Sequence, residues 1–397
     1  MSFNEKIELQ KISTKIYSGG TPSRKKEEYW LDGKIPWLKT NQIGEFIIYN
    51  TDEHITEKGL NESSTKLVRK NSLVIAMYGD GVTRGKVSIV GKELTTNQAC
   101  CVIEIDPNQA NYKFIYYQLK QSYNVLRHLS NGGAQQNLNV KMLKEFKVKL
   151  PLLTEQNKIA EILYSLDKKI ETNNKINKKL EEMAQAIFKQ WFIDFEFPNE
   201  DGKPYKSSGG EMVESELGMI PKSYLTKNLN EIVEIKYGKN LPTKKLQESG
   251  YPVFGGNGII GYYPDYLYEE PQVLIACRGA ASGKVATSLP FSFITNNSLV
   301  LENTGKEVTY EYLRLACLYK QFFEYATGSA QPQITINNLS NVKIIVPNRD
   351  IIKKFSNIIN SIDRMILNNN IEIKKLIDTR EFLLPKLMSG EIRVPMD

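Results

Sequence analysis

Apolar residues recur after Pro151 at steps that alternate four and three: Ile159, Leu163, Leu166, Ile170, Asn173, Asn177, Leu180, Ala184, Ile187 and Trp191. The same steps return at a constant offset of 196 as Phe355, Ile359, Ile362, Ile366, Asn369, Ile373, Leu376, Arg380, Leu383 and Leu387. Spacing that averages 3.5 residues over four heptads or more predicts a coiled-coil seam rather than a broad amphipathic face. Lys, Glu and Asn fill the remaining positions, as exposed faces require. Each predicted helix covers about 36 residues and is roughly 55 Å long at ~1.5 Å per residue. Pairing the two copies buries both narrow seams; the alternative is that each packs separately on its own domain. An antiparallel pair places the flanking blocks at opposite ends and acts as a ruler, whereas a parallel pair crowds them together. Asn173 and Asn369 then face each other at mid-seam and fix the register, or lie solvated at a loose point.

The duplication extends beyond the helices. Residues 132 to 151, GGAQQNLNVKMLKEFKVKLP, recur as residues 328 to 347, GSAQPQITINNLSNVKIIVP. Towards the N-terminus the offsets drift, with Leu9, Ile12, Tyr17 and Pro22 matching Leu229, Ile232, Tyr237 and Pro242, so the first block carries roughly twenty more residues of insertion. The pattern inside the blocks is of short β-type runs between Gly, Asn and Pro turns: 72–77, 99–105, 273–277, 299–301 and 342–346. Helical stretches are expected over 112–129 and 310–325. The predicted fold is therefore α+β: two similar mixed blocks separated by two long helices that pair as an antiparallel coiled coil, with a pseudo-two-fold internal repeat. The expected domains are a first block over 1–150, a first helix over 151–197, a second block over 222–347, and a second helix with a tail over 348–397. Residues 198–221, rich in Gly, Pro, Ser and acids, read as an exposed linker. Just before it, Phe188, Trp191, Phe192 and Phe195 are too apolar to face water; they either cap the coiled coil or form a partner surface.

Composition narrows the setting. A chain of 397 residues with 41% hydrophobic and 24% charged residues is ordinary for a soluble globular protein of two or three domains. No apolar run approaches a membrane span, and the N-terminal segment lacks a signal-peptide core. Four cysteines without a CxxC pair and only two histidines argue against a structural zinc site and for a reducing cytoplasm. A net charge of +7 leans towards a polyanionic partner.

Catalytic motifs are absent. Gly256 to Gly261, GNGIIG, matches a dinucleotide-binding pattern, but Pro264 breaks the helix that must follow, so it reads as a glycine turn. The Gly79–Lys86 and Gly279–Lys284 stretches lack phosphate-loop spacing. What recurs in both blocks is polar side chains on glycine-rich turns. Thr21, Ser23, Arg24, Lys25 and Lys26 follow Gly19-Gly20; Lys39 and Asn41 follow Trp37; Arg84 and Lys86 flank Gly85. Asn97, Gln98, Gln135 and Gln136 add amides. The second block offers Lys239, Lys244, Asn257, Arg278, Lys284, Asn296, Asn297, Gln331 and Gln333. Arg and Lys suit phosphates and guanine edges, while Asn and Gln suit adenine. Any one such loop can be a solvated turn; their presence in both copies favours DNA.

At these residues a resemblance becomes specific. The opening GGTPS with IPWLKTNQI is similar to the start of a target recognition domain. LPLLTEQNKIAEILYSLDKKI, LEEMAQAIFKQWFIDFEFP, ELGMIP and LLPKLMSGEIRV resemble the spacer regions and C-terminus of type I restriction-modification specificity subunits. The resemblance covers essentially the whole chain. It implies a non-catalytic reader of a bipartite, asymmetric site in double-stranded DNA, with the blocks as target recognition domains and the helices as conserved spacers. It also implies two methyltransferase subunits as partners, which would carry S-adenosylmethionine, and restriction subunits in the full complex; this chain itself would bind no cofactor. The second helix departs from the first in lacking the WFIDF cluster and in placing Arg380 on its seam. Two alternatives stay open: an orphan DNA-binding or architectural protein, and a nucleotide-binding enzyme built around GNGIIG.

Overall fold

The computed structural model describes residues 6–79, 81–129, 137–305, 307–328 and 331–395. They divide into two compact units, Met1–Asn174 with Asn370–Asp397, and Lys175–Asn369. Both divisions fall inside long helices, Leu153–Phe192 of 40 residues and Arg349–Ser389 of 41 residues. Each unit thus owns one end of each helix.

In the first unit a five-stranded sheet runs in the order Ser13–Ser18, Cys100–Ile105, Leu73–Ala76, Val87–Val90, Ile47–Ile48. Its pairs are antiparallel except the last. A smaller sheet joins Ile35–Leu38 antiparallel to Glu53–Ile55 and parallel to Thr95–Thr96. The second unit repeats both. Val233–Tyr237, Ser298–Asn303, Val273–Ala276 and Val285–Thr287 form the larger sheet; Gly258–Tyr263, Tyr251–Gly255 and Phe293–Ile294 form the smaller. Ile47–Ile48, the extra edge strand of the first unit, belongs to the longer insertions that the drifting offsets imply. Every expected strand run is a strand, because β-branched residues in a fully buried layer favour extended backbone. The small sheets were not legible, since their strands are short and broken by Gly, Pro and Thr. The expected helix over 112–129 divides at Ser122 into Tyr112–Gln121 and Tyr123–His128. Asn111 caps the first of these by accepting from the Lys113 and Phe114 amides.

Each long helix contributes to both cores. In the first unit Ile159, Ala160 and Leu163 of one helix and Leu387 and Met388 of the other pack with Leu73, Ile75, Ile103 and Phe114. In the second unit Leu180, Ala184, Phe188, Trp191 and Phe192 pack with Phe355, Ile359 and Ile362 and with Leu299 and Tyr312. The pairing is antiparallel in both units. In the first, Asp167 reaches Arg380 and Asn173 donates to Glu372 at 2.8 Å; in the second, Asn369 donates to Asn177 at 2.8 Å. The two seam asparagines are therefore satisfied by Glu372 and Asn177, a correction to the expectation that they partner each other.

Two further expectations change. Phe188, Trp191, Phe192 and Phe195 are 1 to 8% exposed, so they are core rather than a partner surface. The Phe192 ring meets Phe355 at 4.8 Å and Tyr312 at 4.9 Å, and aromatic area of that size is buried wherever a groove accepts it. The supposed linker holds an antiparallel hairpin, Met212–Ser215 with Gly218–Pro221, and Tyr205 stacks on Phe197 at 4.6 Å. Alternating residues such as Val213 and Ile220 supply the strand signal that its Gly, Ser and acidic content obscured. Among the described residues no helix is long and apolar enough to cross a membrane.

At the seam position expected to hold Leu166, the inward residue is Asp167, whose side chain is 4% exposed. It accepts from Arg380, from the Tyr117 hydroxyl at 2.8 Å and lies 3.6 Å from Lys120. The counterpart, Asp363, is neutralised instead by Arg314 of the helix Tyr310–Lys320 at 2.7 Å, with 31% and 19% of the two side chains exposed. The residue matching Arg380 is Ala184, so each copy recruits its cation from a different element. Past the second helix Arg393 lies 2.8 Å from Glu155, and Lys158 donates to the Pro395 carbonyl at 2.5 Å, fastening residues 391–395 to the start of the first helix. A buried charge left unpaired is costly. Asp167→Asn is expected to destabilise the chain by about 3 kcal/mol, and the better-solvated Asp363→Asn by about 1 kcal/mol. Urea unfolding of the full chain measures both; equal losses would show that burial does not set the difference.

Candidate nucleic-acid interface

In the first unit the strand Ser13–Ser18 runs into Gly19 and Gly20, which lie against the chain at Thr96 and Ser64. A Cβ on Gly19 would sit 2.0 Å from the Thr96 hydroxyl, so only glycine permits this approach. The approach brings the Thr21 hydroxyl onto the Gln98 side-chain carbonyl. The Trp37 indole N–H donates to the Gly20 carbonyl at 3.1 Å. Arg24 then lies over Trp30, 3.6 Å from its ring centroid, and 4.9 Å from that of Trp37. Glu53 is bracketed by Arg24 and Lys39, each at 2.5 Å. Burial pushes the Glu53 carboxyl up, but the hydrogen bonds from Lys39 and Arg24 outweigh it and hold the group below the usual carboxylate range.

These contacts sort the predicted cations. Arg24 and Lys39 are held in fixed orientations; Lys26 donates to the Tyr29 hydroxyl at 2.6 Å and lies 3.7 Å from Glu62. Ser23, Lys25 and Asn41 are exposed. Arg24 fixed between an aromatic face and a carboxylate is pre-organised for bidentate hydrogen bonding. Trp30, Glu53 and Tyr29 were missed by sequence reasoning. Glu53 lies 14 residues or more from the cations it holds, and Tyr29 and Trp30, though close in the chain, meet theirs only through the fold of the turn.

The two loops that follow the central strands are structural copies. Ala76 and Lys86 pair through N–H to carbonyl at 3.1 Å, as Ala276 and Lys284 do at 2.9 Å. Gly85 and Gly283 both donate to the strand-end alanine at 2.9 Å, with φ of 86° and 96°. Both connections thus close on the same pair of backbone hydrogen bonds between antiparallel strands, although they differ in length. Arg84 and Lys86 are half-buried here. In the second unit Lys284 donates to Asn257 at 2.6 Å, Arg278 bridges to Gln333 through the backbone, and Lys239 bridges to Thr295. Asn296 donates its amide N–H to the Lys239 carbonyl at 3.2 Å. Lys239, Asn257, Arg278, Lys284, Asn296 and Gln333 therefore belong to one linked set of loops, with Asn297 and Gln331 exposed beside it. No contact joins Lys244, which is exposed in the turn Thr243–Lys245, to that set. Gln135 and Gln136 lie outside the described residues.

Hydrogen-bond register fixes how the amide-bearing loops of the two copies correspond. Asn97 and Thr295 accept from the amides of Cys100 and Ser298, whereas Ala99 and Asn297 accept from those of Met77 and Cys277. Asn97 thus corresponds to Thr295, and Gln98 to Asn296. The Asn97 side-chain oxygen is also committed locally, accepting from the Ala99 amide at 3.1 Å. The Gln98 side-chain oxygen is held instead by the Thr21 hydroxyl, outside its own turn.

GNGIIG forms the turn between the antiparallel strands Tyr251–Gly255 and Gly258–Tyr263, with no helix following to hold a pyrophosphate. The four cysteines are buried, and burial pushes the Cys101 and Cys317 thiols up to about 12. Among the described residues no group of three His, Cys, Asp or Glu side chains could hold a metal ion.

A tandem duplication of one sheet scaffold, each copy ending in amide- and cation-bearing loops and sharing a helix pair, is the architecture of a duplicated recognition module. A family model for the type I restriction modification DNA specificity domain matches residues 3–182 and again 221–378, and the chain belongs to this family. It is 28% identical over 405 residues to the type I restriction enzyme MjaIX specificity subunit of Methanocaldococcus jannaschii, covering 96% of this chain and 91% of that protein. It is 23% identical to the HindI specificity subunit of Haemophilus influenzae, over 84% of this chain and 89% of that one. The crystal structure of a type I restriction-modification S subunit from M. genitalium shares the fold, with a TM-score of 0.62, 20% identity and coverage of 96% and 95%.

The copied turns carry a test. A Cβ on Gly283 would lie 2.5 Å from the Phe323 backbone nitrogen at a left-handed φ, whereas one on Gly279, also at positive φ, meets nothing within 4 Å. Gly283→Ala is expected to destabilise the chain by about 3 kcal/mol and Gly279→Ala by about 1 kcal/mol. Thermal unfolding of the full chain distinguishes them; a reversed order would refute the packing of this turn.

Proposed function

We propose that this chain is the DNA-reading subunit of a type I restriction-modification complex and performs no chemistry itself. Each unit reads one half of a bipartite, asymmetric site. The chain positions two methyltransferase subunits, which carry S-adenosylmethionine, and restriction subunits join in the full complex. The observation that carries this reading is the pair of sheet scaffolds with matching strand order and loop hydrogen bonds but divergent side chains. One holds Thr21, Arg24, Lys39 and Gln98, the other Lys239, Asn257, Lys284 and Asn296. A scaffold kept constant while its polar tips diverge suits two readers of different sequences. Family membership and the names of the relatives support it.

The test is binding-site selection with the assembled complex. Gln98→Ala in the first unit and Asn296→Ala in the second are the informative variants, since Asn97 is occupied by its own turn. Loss of an amide–base contact is expected to relax one base position by about 1 to 3 kcal/mol, roughly 5- to 150-fold, while the other half-site keeps its preference. A variant that relaxes both halves, or neither, refutes its assignment. Separately, Lys25→Ala is expected to reduce the salt dependence of binding by about 0.9 in log-log slope, because this exposed lysine is free to meet a phosphate.

A further inference from the structure

The outer edge of the five-stranded sheet carries a cleft that none of the predicted reading residues lines. Its volume is about 610 Å3, and it runs along the edge strand Ser13–Ser18. Lys15 of that strand, Lys66 and Arg69 of the segment before Leu73, and Lys144 of the short helix Val140–Glu145 line it. One carboxylate shares the cleft: Glu104, which is 9% exposed and accepts from the Tyr17 hydroxyl at 3.1 Å. Lys66 lies 5.4 Å above the Tyr17 ring. Four cations therefore line one groove against a single acid that is engaged by a phenol.

The groove continues the candidate reading face. Ser18 leads into Gly19 and Gly20; Gly20 packs on Ser64 and Thr65, and Lys66 follows directly. Thr65 donates to the Thr96 carbonyl at 3.2 Å, beside Asn97 and Gln98. The second unit reverses the charge at the equivalent edge. There Lys236 lies 2.8 Å from Glu302 and 3.0 Å from Glu234, and Tyr268 donates to Glu302 at 2.7 Å. Two carboxylates surround one lysine where the first unit offers four cations to one carboxylate. Charge asymmetry between copies of one scaffold is not a packing requirement, since the same strands pair in both.

We propose that the cleft along Ser13–Ser18 holds the phosphodiester backbone of duplex DNA flanking the half-site of the first unit, and that the second unit has no such contact. This rests on the reading of the chain as a DNA-specificity subunit. Cations lining a groove displace condensed counterions from a duplex, and the salt dependence counts the contacts made. Sequence preference is untouched, because phosphate contacts position and do not specify.

The test titrates the full chain with a random-sequence duplex of about 40 base pairs over a range of salt, comparing wild type with Lys66→Gln/Arg69→Gln/Lys144→Gln. The log-log slope is expected to become shallower by about two to three, at about 0.9 per contact, with affinity at low salt at least tenfold weaker. Lys236→Gln in the second unit is expected to leave the slope unchanged. Lys66 and Arg69 are both exposed, so their double variant keeps the fold should Lys144 disturb its helix, and it is expected to lose about two units. A wild-type slope in both variants, with wild type binding the duplex, overturns the cleft and leaves the DNA reading standing. A wild-type chain that binds no duplex overturns both. Unchanged duplex binding with loss of an acidic protein partner overturns the proposal in favour of a protein site.

Discussion

Neither unit closes its core without a segment of both long helices. Leu387 and Met388 complete a core whose other helical members are Ile159, Ala160 and Leu163, and Phe355 and Ile359 do the same around Phe188 and Phe192. Two amphipathic helices with narrow seams would be marginal alone in water; here each seam is buried partly against the opposite helix and partly against a sheet. The antiparallel register follows from this sharing. Sliding the first helix by one residue would remove Asp167 from Arg380, Tyr117 and Lys120 together. The cation- and amide-bearing loops on both scaffolds inherit their positions from strands whose buried faces pack on these helices.

The duplication has preserved this geometry while letting its solutions diverge. Asp167 and Asp363 occupy the same place in the two copies, yet one takes its cation from the partner helix and the other from a helix beside the sheet. A carboxylate at the seam demands a cation but not a particular source. Gly85 and Gly283 keep the same backbone hydrogen bond and a positive φ, a conformation that favours glycine. The side chains next to them are free to differ.

Much of this was legible in the chain itself. The long helices follow from a period sustained over four heptads or more, and the central strands from runs such as Leu73–Ala76 that are buried on both faces. Boundaries and register needed coordinates. A seam drawn at 3.5 residues per step places Leu166 inward, whereas the real helix turns Asp167 in, since an α-helix of 3.6 residues drifts against a heptad. The candidate site was legible as residue types but not as a constellation. Arg24 was evident from its glycine-rich turn; Glu53 and Trp30, which orient it, were not, because their contacts are tertiary. That Asn97 corresponds to Thr295, and Gln98 to Asn296, is visible only in the hydrogen-bond register.

The tail that Arg393 and Lys158 fasten to the first helix sets an order of events during synthesis. The second unit draws only on residues 175–369, so all of its core has left the ribosome once that stretch has emerged. The first unit still lacks Leu387, Met388 and Val394 at that moment, although its own sheet was made first. Folding units form as their members become available. The unit whose synthesis begins earlier is consequently completed later, and until then the apolar face around Ile159 and Leu163 waits uncovered.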